Sequence, residues 1–247
     1  MKVIAAGPQV FDRSHVDSEL EAYVRDGRLV YEDLDLGDFA SINIFTSKFI
    51  STFDRLKYLI NNAGVMLIPY TKTRAGFEGH IGINFLGHVY LTNRLLERFD
   101  PLIANLSSSV HRLGMVESLF EPSLYFAEEG SYSPHYAYIQ SKLAIVLHTA
   151  VLSQRHDAVS IHPGVVDSGL YRNVCGPLQL VQRYLFRKIF FRSKEEAASL
   201  IVNILFNYQP RYSGAYFSNG KSKKPKFSSE FLSSFSNLVD CIIEAAS

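Results

Sequence analysis

The sequence predicts an α/β fold built on a doubly wound parallel sheet. Short apolar runs alternate with helical patterns through the first third of the 247 residues. The runs 56–60 and 102–106 are almost continuously apolar, as expected of parallel strands that helices cover on both faces. The composition, 47% apolar and 20% charged, is typical of a globular protein with a large core. We therefore expect a single domain over 1–247.

The first third of the chain is predicted to contain three strands and two helices. Apolar residues fill 3–6, and a charged stretch with helical period follows at 15–26. A second apolar run at 28–36 precedes the helical pattern of 39–53, and a third strand is predicted at 56–60. This order indicates consecutive β-α-β units, in which the strands lie parallel.

The rest of the chain continues the alternation of strands and helices. Apolar residues at intervals of three to four predict helices, whereas compact apolar runs predict strands. The patterns predict strands over 102–106, 158–162 and 214–217 and helices over 84–98, 136–154, 194–207 and 230–246. The Ser- and Lys-rich stretch 218–229 is expected to be a surface loop, and 214–217 the last strand.

Charge and cysteine content exclude several classes of protein. The chain carries 25 Lys and Arg against 24 Asp and Glu, so nucleic acid is not an expected partner. Its only cysteines, Cys175 and Cys241, cannot build a disulfide framework. No metal site is expected, because the eight histidines show no ligand spacing. No apolar run reaches the roughly 20 residues that cross a bilayer, and no secretory signal is recognised.

A tyrosine and a lysine lie four residues apart within the helical pattern of 136–154. This spacing places Tyr138 and Lys142 on one face of a helix. A phenol has a pKa near 10, so it is a poor base at neutral pH unless a nearby cation favours the phenolate. Lys142 is placed to supply that cation. The same spacing also arises by chance in exposed helices, so the pair alone does not establish a site.

Polar motifs follow the predicted strands at the points where ligands bind to open α/β sheets. Asn61-Asn62-Ala63-Gly64 follows one strand, and Ser107-Ser108-Ser109 and Pro163-Gly164 follow two others. Asn84-Phe85-Leu86-Gly87 is expected to open a helix. Together with Tyr-x-x-Ser-Lys at 138–142, these motifs resemble the short-chain dehydrogenase/reductase family in order and spacing. The resemblance implies a Rossmann-like fold, NAD or NADP as cofactor, and oxidation or reduction at a CH–OH group.

The resemblance also implies catalytic roles for individual residues. Tyr138 would be the acid/base, and Lys142 would lower its pKa and hold the nicotinamide ribose. Ser108 would bind the reacting oxygen, Ser107 is the less favoured choice by register, and Ser109 would only pack. Hydride transfer with this set needs no metal.

Two residues have both a family role and an ordinary one. By resemblance, Asn84 would anchor a water in a proton relay behind Lys142, and it is also suited to cap a helix start. Asp35 would meet the adenine amino group, although an acidic residue just before a helix is equally well explained by the helix dipole.

The remaining implied cofactor contacts lie on two loops. Asn62, Ala63 and Gly64 would line the adenosine side, and Val166 and Ser168 would touch the nicotinamide carboxamide and the pyrophosphate. The preference between NAD and NADP is open, because no acidic or basic residue follows 3–6 closely.

Longer stretches narrow the resemblance to the branch that holds the retinol dehydrogenases. They are 59–69, 72–78, 132–135 and 164–171. This branch implies a long apolar alcohol or aldehyde, retinoid-like or of the polyprenol and dolichol class. Residues 172–194, which carry six basic and no acidic side chains, would form the substrate lid. The lid either packs on the protein alone or also touches a membrane through 178–191. The expected location is the cytoplasm or the surface of the endoplasmic reticulum or a lipid droplet. The sequence does not decide whether the protein forms a homo-oligomer.

One part of the family pattern is missing from the sequence. The family's nucleotide site begins with a strand and a glycine-rich turn, whereas here Gly7 is the only glycine before Gly27. Asp35 lies 26 residues before Asn61, as expected if the run 28–36 is the third strand of the family's sheet. The run 3–6 is then the second strand. We therefore expect that the first strand, turn and helix are absent. The chain is then either an oxidoreductase or a non-catalytic relative that binds a lipid or protein.

Overall fold

The computed structural model describes residues 1–8, 18–166 and 191–246. Its strands are β1 Val3–Gly7, β2 Leu29–Asp33, β3 Tyr58–Asn61, β4 Leu102–Leu106, β5 Ala158–His162, β6 Val165–Val166, β7 Phe191–Arg192, β8 Tyr216–Ser218 and β9 Lys221–Lys223. Its α-helices are α1 Ser18–Arg25, α2 Phe39–Thr52, α3 Gly79–Ile81, α4 Gly87–Leu96, α5 Pro122–Tyr125, α6 Pro134–Leu152, α7 Lys194–Phe206 and α8 Ser229–Glu244. The predicted α/β class is confirmed.

The main sheet has five strands in the order β3-β4-β5-β8-β9. All neighbours are parallel except β8 and β9. One face packs on α4 and α6. A large cluster that includes Phe85, Leu147 and Phe235 then joins these helices to α2 and α8. The other face packs on α7, where Ile204 and Leu205 meet Ala104 and Ile161. Burial on both faces explains why these strands are almost continuously apolar.

A second, separate sheet is formed by β1 and β2. The two strands are parallel, in the register Val3 to Leu29 through Gly7 to Asp33. Among the described strands, β1 pairs only with β2, and β3 pairs only with β4. The predicted β-α-β order is therefore present, but the sheet is interrupted between β1 and β3.

Two sequence predictions about element bounds are wrong. The helix predicted to open at Asn84 begins five residues earlier, because the Glu78 carboxylate caps the amides of His80 and Ile81. The stretch predicted as a loop after the last strand contains β9, which pairs with β8 as an antiparallel edge. Its exposed lysines are typical of edge strands, which charge protects from further pairing.

Candidate active site

Tyr138 and Lys142 lie on the first half of α6, and both side chains are buried. The helix starts in a defined place because Ser133 caps it and Pro134 occupies its first turn. The Lys142 ammonium donates to Leu106 O at 3.1 Å and stands 5.8 Å from the centre of the Tyr138 ring. Burial lowers the pKa of Lys142 to about 8. An exposed chance pair is therefore excluded.

The three serines after β4 have different surroundings. The Ser107 hydroxyl is buried and donates to Lys142 O at 2.8 Å, so it ties the strand end to α6. Ser108 is half-buried, and its hydroxyl accepts a long bond from Val110 N at 3.4 Å. Ser109 is exposed, so the expectation that it packs is wrong. Ser108 is therefore the one of these three serines that is neither tied to α6 by its hydroxyl nor fully exposed.

Asn84 lies within a π-helical turn, Gly82–Leu86, between α3 and α4. Its amide oxygen accepts from Val65 N at 2.7 Å, and its nitrogen donates to Val65 O at 2.9 Å. The nitrogen also lies 3.1 Å from the Ser141 hydroxyl on α6. Asn84 is thus fully buried and links the loop after β3 to α6. The suggestion that it caps a helix is wrong, because the cap is Glu78.

The loop after β3 lies close to both Asn84 and Lys142. A Cβ on Gly64 would lie 2.9 Å from Asn84 Oδ1 and 3.6 Å from Lys142 Nζ, so only glycine fits comfortably. Asn62 and Ala63 are exposed on the same loop. Ala63 O is held from below by His88 Nε2 at 2.9 Å. Burial lowers the pKa of His88 to about 4, so the ring is neutral and donates through Nε2.

The other residues predicted to contact the cofactor are Asp35, Val166 and Ser168. Asp35 is exposed, and its carboxylate accepts from Gly37 N at 2.8 Å. The helix-start role suggested for it belongs to Asp38, which caps α2. Val166 is half-buried in β6. Ser168, most of the expected lid over 172–194 and nearly all of 178–191 lie outside the described residues.

A buried row of amide and hydroxyl groups, which was not predicted from the sequence, lies beneath the site. Asn61 Nδ2 donates to Thr92 Oγ1 at 3.0 Å and to Asn105 Oδ1 at 2.8 Å. Asn105 in turn donates to Thr149 Oγ1 at 2.9 Å. The row ties β3 and β4 to α4 and α6. A signal was present, because each apolar strand carries one asparagine, and the two lie opposite each other in register.

Comparison with known proteins decides the family. A sequence profile described as short chain dehydrogenase matches residues 1–117. Human retinol dehydrogenase 12 is 36% identical over 229 residues, which cover 89% of this chain and 70% of the relative. The chain belongs to the short-chain dehydrogenase/reductase family. Human polyprenol dehydrogenase is 34% identical over 239 residues, covering 91% and 71% of the two chains.

Solved structures agree on the fold. A Mycobacterium paratuberculosis protein, 26% identical, superposes with a TM-score of 0.64 over 98% of this chain and 84% of its own. The NADPH-bound carbonyl reductase from chicken fatty liver, 20% identical, gives 0.63 over 90% and 87%. As a member of this family, the chain is an NAD(P)-dependent oxidoreductase of CH–OH groups.

The residues present fit one part of such a cofactor. The bare Cα of Gly64 beside Lys142 Nζ and Asn84 leaves space that a Cβ would fill. The exposed Asn62 and Ala63 continue the same rim. Within the described part of the chain, no group of His, Cys, Asp and Glu side chains is arranged to hold a metal ion. In that same part, no helix has the length and hydropathy needed to cross a membrane.

Proposed function

We propose that this short-chain dehydrogenase/reductase interconverts a long apolar alcohol and its aldehyde, with Tyr138 as the acid/base. The observation that carries the proposal is the burial of the Lys142 ammonium beneath the Tyr138 ring. A buried cation favours the phenolate over the phenol far more than an exposed one does. A tyrosine in this setting can exchange a proton near neutral pH.

The roles of the other side chains follow from where they lie. Tyr138 Oη takes the alcohol proton during oxidation and returns it to the carbonyl oxygen during reduction. Ser108 Oγ donates a hydrogen bond to that oxygen, where negative charge develops, a contribution worth about 3 kcal/mol. Asn84 fixes the loop after β3 against α6 and so sets the distance between Gly64 and Lys142. Asn84 would also anchor a water in the proton relay behind Lys142.

The proposed cofactor contacts come from α6, from the loops after β2 and β3, and from the segment 166–168. Lys142 and Tyr138 would hold the nicotinamide ribose, and Asn62, Ala63 and Gly64 the adenosine side. Asp35 would meet the adenine, and Val166 and Ser168 the carboxamide and pyrophosphate. When bound, NAD(P) accepts or supplies the hydride at the reacting carbon.

Exposed apolar side chains on the segment that follows Ser108 support an apolar substrate. The fully buried Gln140, two residues after Tyr138, clamps Met115 by accepting from its N–H and donating to its carbonyl, both at 2.9 Å. The clamp fixes a turn on which Leu113 and Met115 are 72% and 57% exposed. Exposed apolar side chains that lie next to each other are typical of a surface that binds an apolar ligand. The names of the retinol and polyprenol dehydrogenase relatives agree with this class.

A membrane-facing lid is the second part of the proposal. Residues 172–194 would cover the substrate, and the basic, apolar segment 178–191 would touch an anionic surface, where each basic residue contributes about 1 kcal/mol. The chain should then act peripherally at an endoplasmic reticulum or lipid-droplet membrane. Vesicle sedimentation checks this, since binding should rise with anionic lipid and fall with salt. Equal binding to neutral vesicles at low and high salt would contradict it.

Activity on three alcohols tests the substrate class. The purified chain should oxidise a polyisoprenoid alcohol or retinol in preference to a small polar alcohol when supplied with NAD or NADP. The ratio of kcat/KM values is the measurement. A preference for the small polar alcohol would contradict the proposal.

A further inference from the structure

A second buried polar cluster lies behind the catalytic tyrosine, and the proposed reaction does not use it. Its members are Glu78, His80 and Tyr132, of which Glu78 and His80 are almost wholly buried. His80 Nδ1 lies 2.9 Å from Glu78 Oε1 and 3.0 Å from the Tyr132 hydroxyl. The His80 ring also meets the Tyr138 ring edge-on, with centroids 6.1 Å apart. The cluster therefore contacts the side chain that is proposed to move the proton.

The cluster holds one residue of the loop after β3 by both of its backbone groups. The Tyr132 hydroxyl donates to Ile68 O at 3.0 Å. The Ile68 N–H donates to His80 Nε2 at 3.4 Å. Since Nε2 accepts, the ring carries its proton on Nδ1, which faces the Glu78 carboxylate. The three side chains thus form a directed chain of donors and acceptors that ends on Ile68.

The charge states of the end groups agree with these directions. Burial alone would raise the pKa of Glu78, but hydrogen bonds from the His80 ring and from the amides of His80 and Ile81 outweigh it and lower the pKa. Glu78 is therefore a carboxylate. Burial, and then the charge of Glu78, raise the pKa of Tyr132, so its hydroxyl stays protonated and donates.

Ile68 follows a residue whose backbone conformation is strained. Leu67 has φ +51°, in the left-handed region that non-glycine residues rarely adopt. Such a conformation costs about 1 kcal/mol or more and persists only where surrounding contacts impose it. The two bonds on Ile68 are such contacts. Asn84 holds the same loop at Val65. The loop is therefore fixed at two points, at Val65 beside Lys142 and at Ile68 behind Tyr138.

We propose that Glu78, His80 and Tyr132 are positioning residues that fix the Leu67–Ile68 turn and, through it and the His80 ring, the place of the Tyr138 side chain. The inference rests on the proposed role of Tyr138. Tyr132 lies just before α6, so the network also sets where that helix begins relative to the loop after β3. Small displacements of reacting groups reduce rates strongly, so loss of the network should slow the chemical step rather than weaken cofactor binding.

Two substitutions cut the two bonds separately in the full chain. Tyr132→Phe removes the bond to Ile68 O, and His80→Asn keeps a donor near Glu78 but removes the acceptor for Ile68 N. Tyr70→Phe is the matched control, because its hydroxyl donates to Ala127 O at 3.0 Å and its ring contacts Tyr132. We expect kcat to fall about tenfold in each test variant, with cofactor KM within about twofold of the parent. The primary deuterium isotope effect should rise. The fall in kcat of the double variant should be smaller than the product of the two single falls.

Hydrogen exchange gives a readout that needs no turnover. The amides of 66–68 should exchange faster in Tyr132→Phe and His80→Asn than in Tyr70→Phe, when each variant is measured at the same interval below its own thermal midpoint. Equal exchange in Tyr132→Phe and Tyr70→Phe would overturn the network, and faster exchange with parental kcat would overturn its link to Tyr138. If the parent shows no turnover, the proposed function fails, and exchange alone decides whether the network fixes the turn.

Discussion

The two halves of the site differ in how firmly the fold holds them. The proposed proton-transfer half is bonded across elements, since Ser107, Asn84 and Lys142 each connect α6 to a strand end or a loop. The nucleotide half is spread over the loops after β2 and β3, which belong to separate sheets. Its side chains Asp35 and Asn62 are exposed. The proposed proton-transfer groups therefore lie on one continuous sheet and its helices, whereas the proposed cofactor contacts depend on how two sheets meet.

The strongest test of the proton-transfer half removes one hydroxyl. Tyr138→Phe should lower kcat by about 10²- to 10⁴-fold, because the acid/base is lost while the ring and its packing remain. The thermal midpoint should stay close to that of the parent. An active preparation that keeps most of its rate after this change would show that another group moves the proton.

The nucleotide half can be tested by adding to it. A strand, glycine-rich turn and helix fused ahead of residue 1 should pair with the edges of β1 and β3 and tighten NAD(P)H binding at least about tenfold. Fluorescence titration with and without the segment measures this. The same segment with its glycines replaced by alanine restores the strand alone and is the control. Micromolar binding and a cooperative thermal transition in the chain by itself would contradict this prediction.

The pH dependence should identify Lys142. Its ammonium is present below about pH 8 and is lost as pH rises through that value, so turnover should fall by about tenfold per pH unit above it. Lys142→Arg keeps its charge and should move this fall to higher pH. An unchanged profile in that variant would assign the fall to another group.

Stability should change with pH in the opposite direction. Between about pH 8 and the ordinary lysine value of 10.5, the unfolded chain binds a proton at Lys142 that the folded chain does not. The free energy of unfolding should therefore gain a favourable contribution from this residue as pH rises through that interval. Comparing urea unfolding of the parent and Lys142→Met at pH 7 and pH 9 isolates this contribution.

The smallest effect is expected where the two halves touch. Gly64→Ala places a methyl group 2.9 Å from Asn84 Oδ1, which must shift. We expect a cofactor KM a few-fold higher and a free energy of unfolding lower by about 1 kcal/mol. Gly130→Ala is the control, since a Cβ there meets nothing within 4 Å. If the two variants have the same cofactor KM and the same free energy of unfolding, the loop after β3 can move to accommodate the methyl group.

The sequence predicted elements best where burial decides them. Strands β4 and β5 have the predicted bounds, because residues covered on both faces leave a continuous apolar run. Tyr138 and Lys142 are recognisable because their spacing fixes a shared helix face. The bonds from His80 and Tyr132 to Ile68 join residues 12 and 64 positions apart, and no local pattern encodes such contacts. The helix start at Glu78 was not predicted, because glutamate is not among the residues that usually cap a helix.

The π-helical turn at Gly82–Leu86 has a consequence for changes in chain length. It closes with the Gly87 N–H bonded to Gly82 O, so it holds one residue more than an α-helical turn. Deleting one residue inside it would restore a regular α-helix and keep α4 in phase with its neighbours. The same deletion within α4 would rotate the following residues by about 100° and separate Thr92 from Asn61. A scan of single deletions should therefore find one tolerant point in this helix, at which the protein folds but Asn84 no longer reaches Val65.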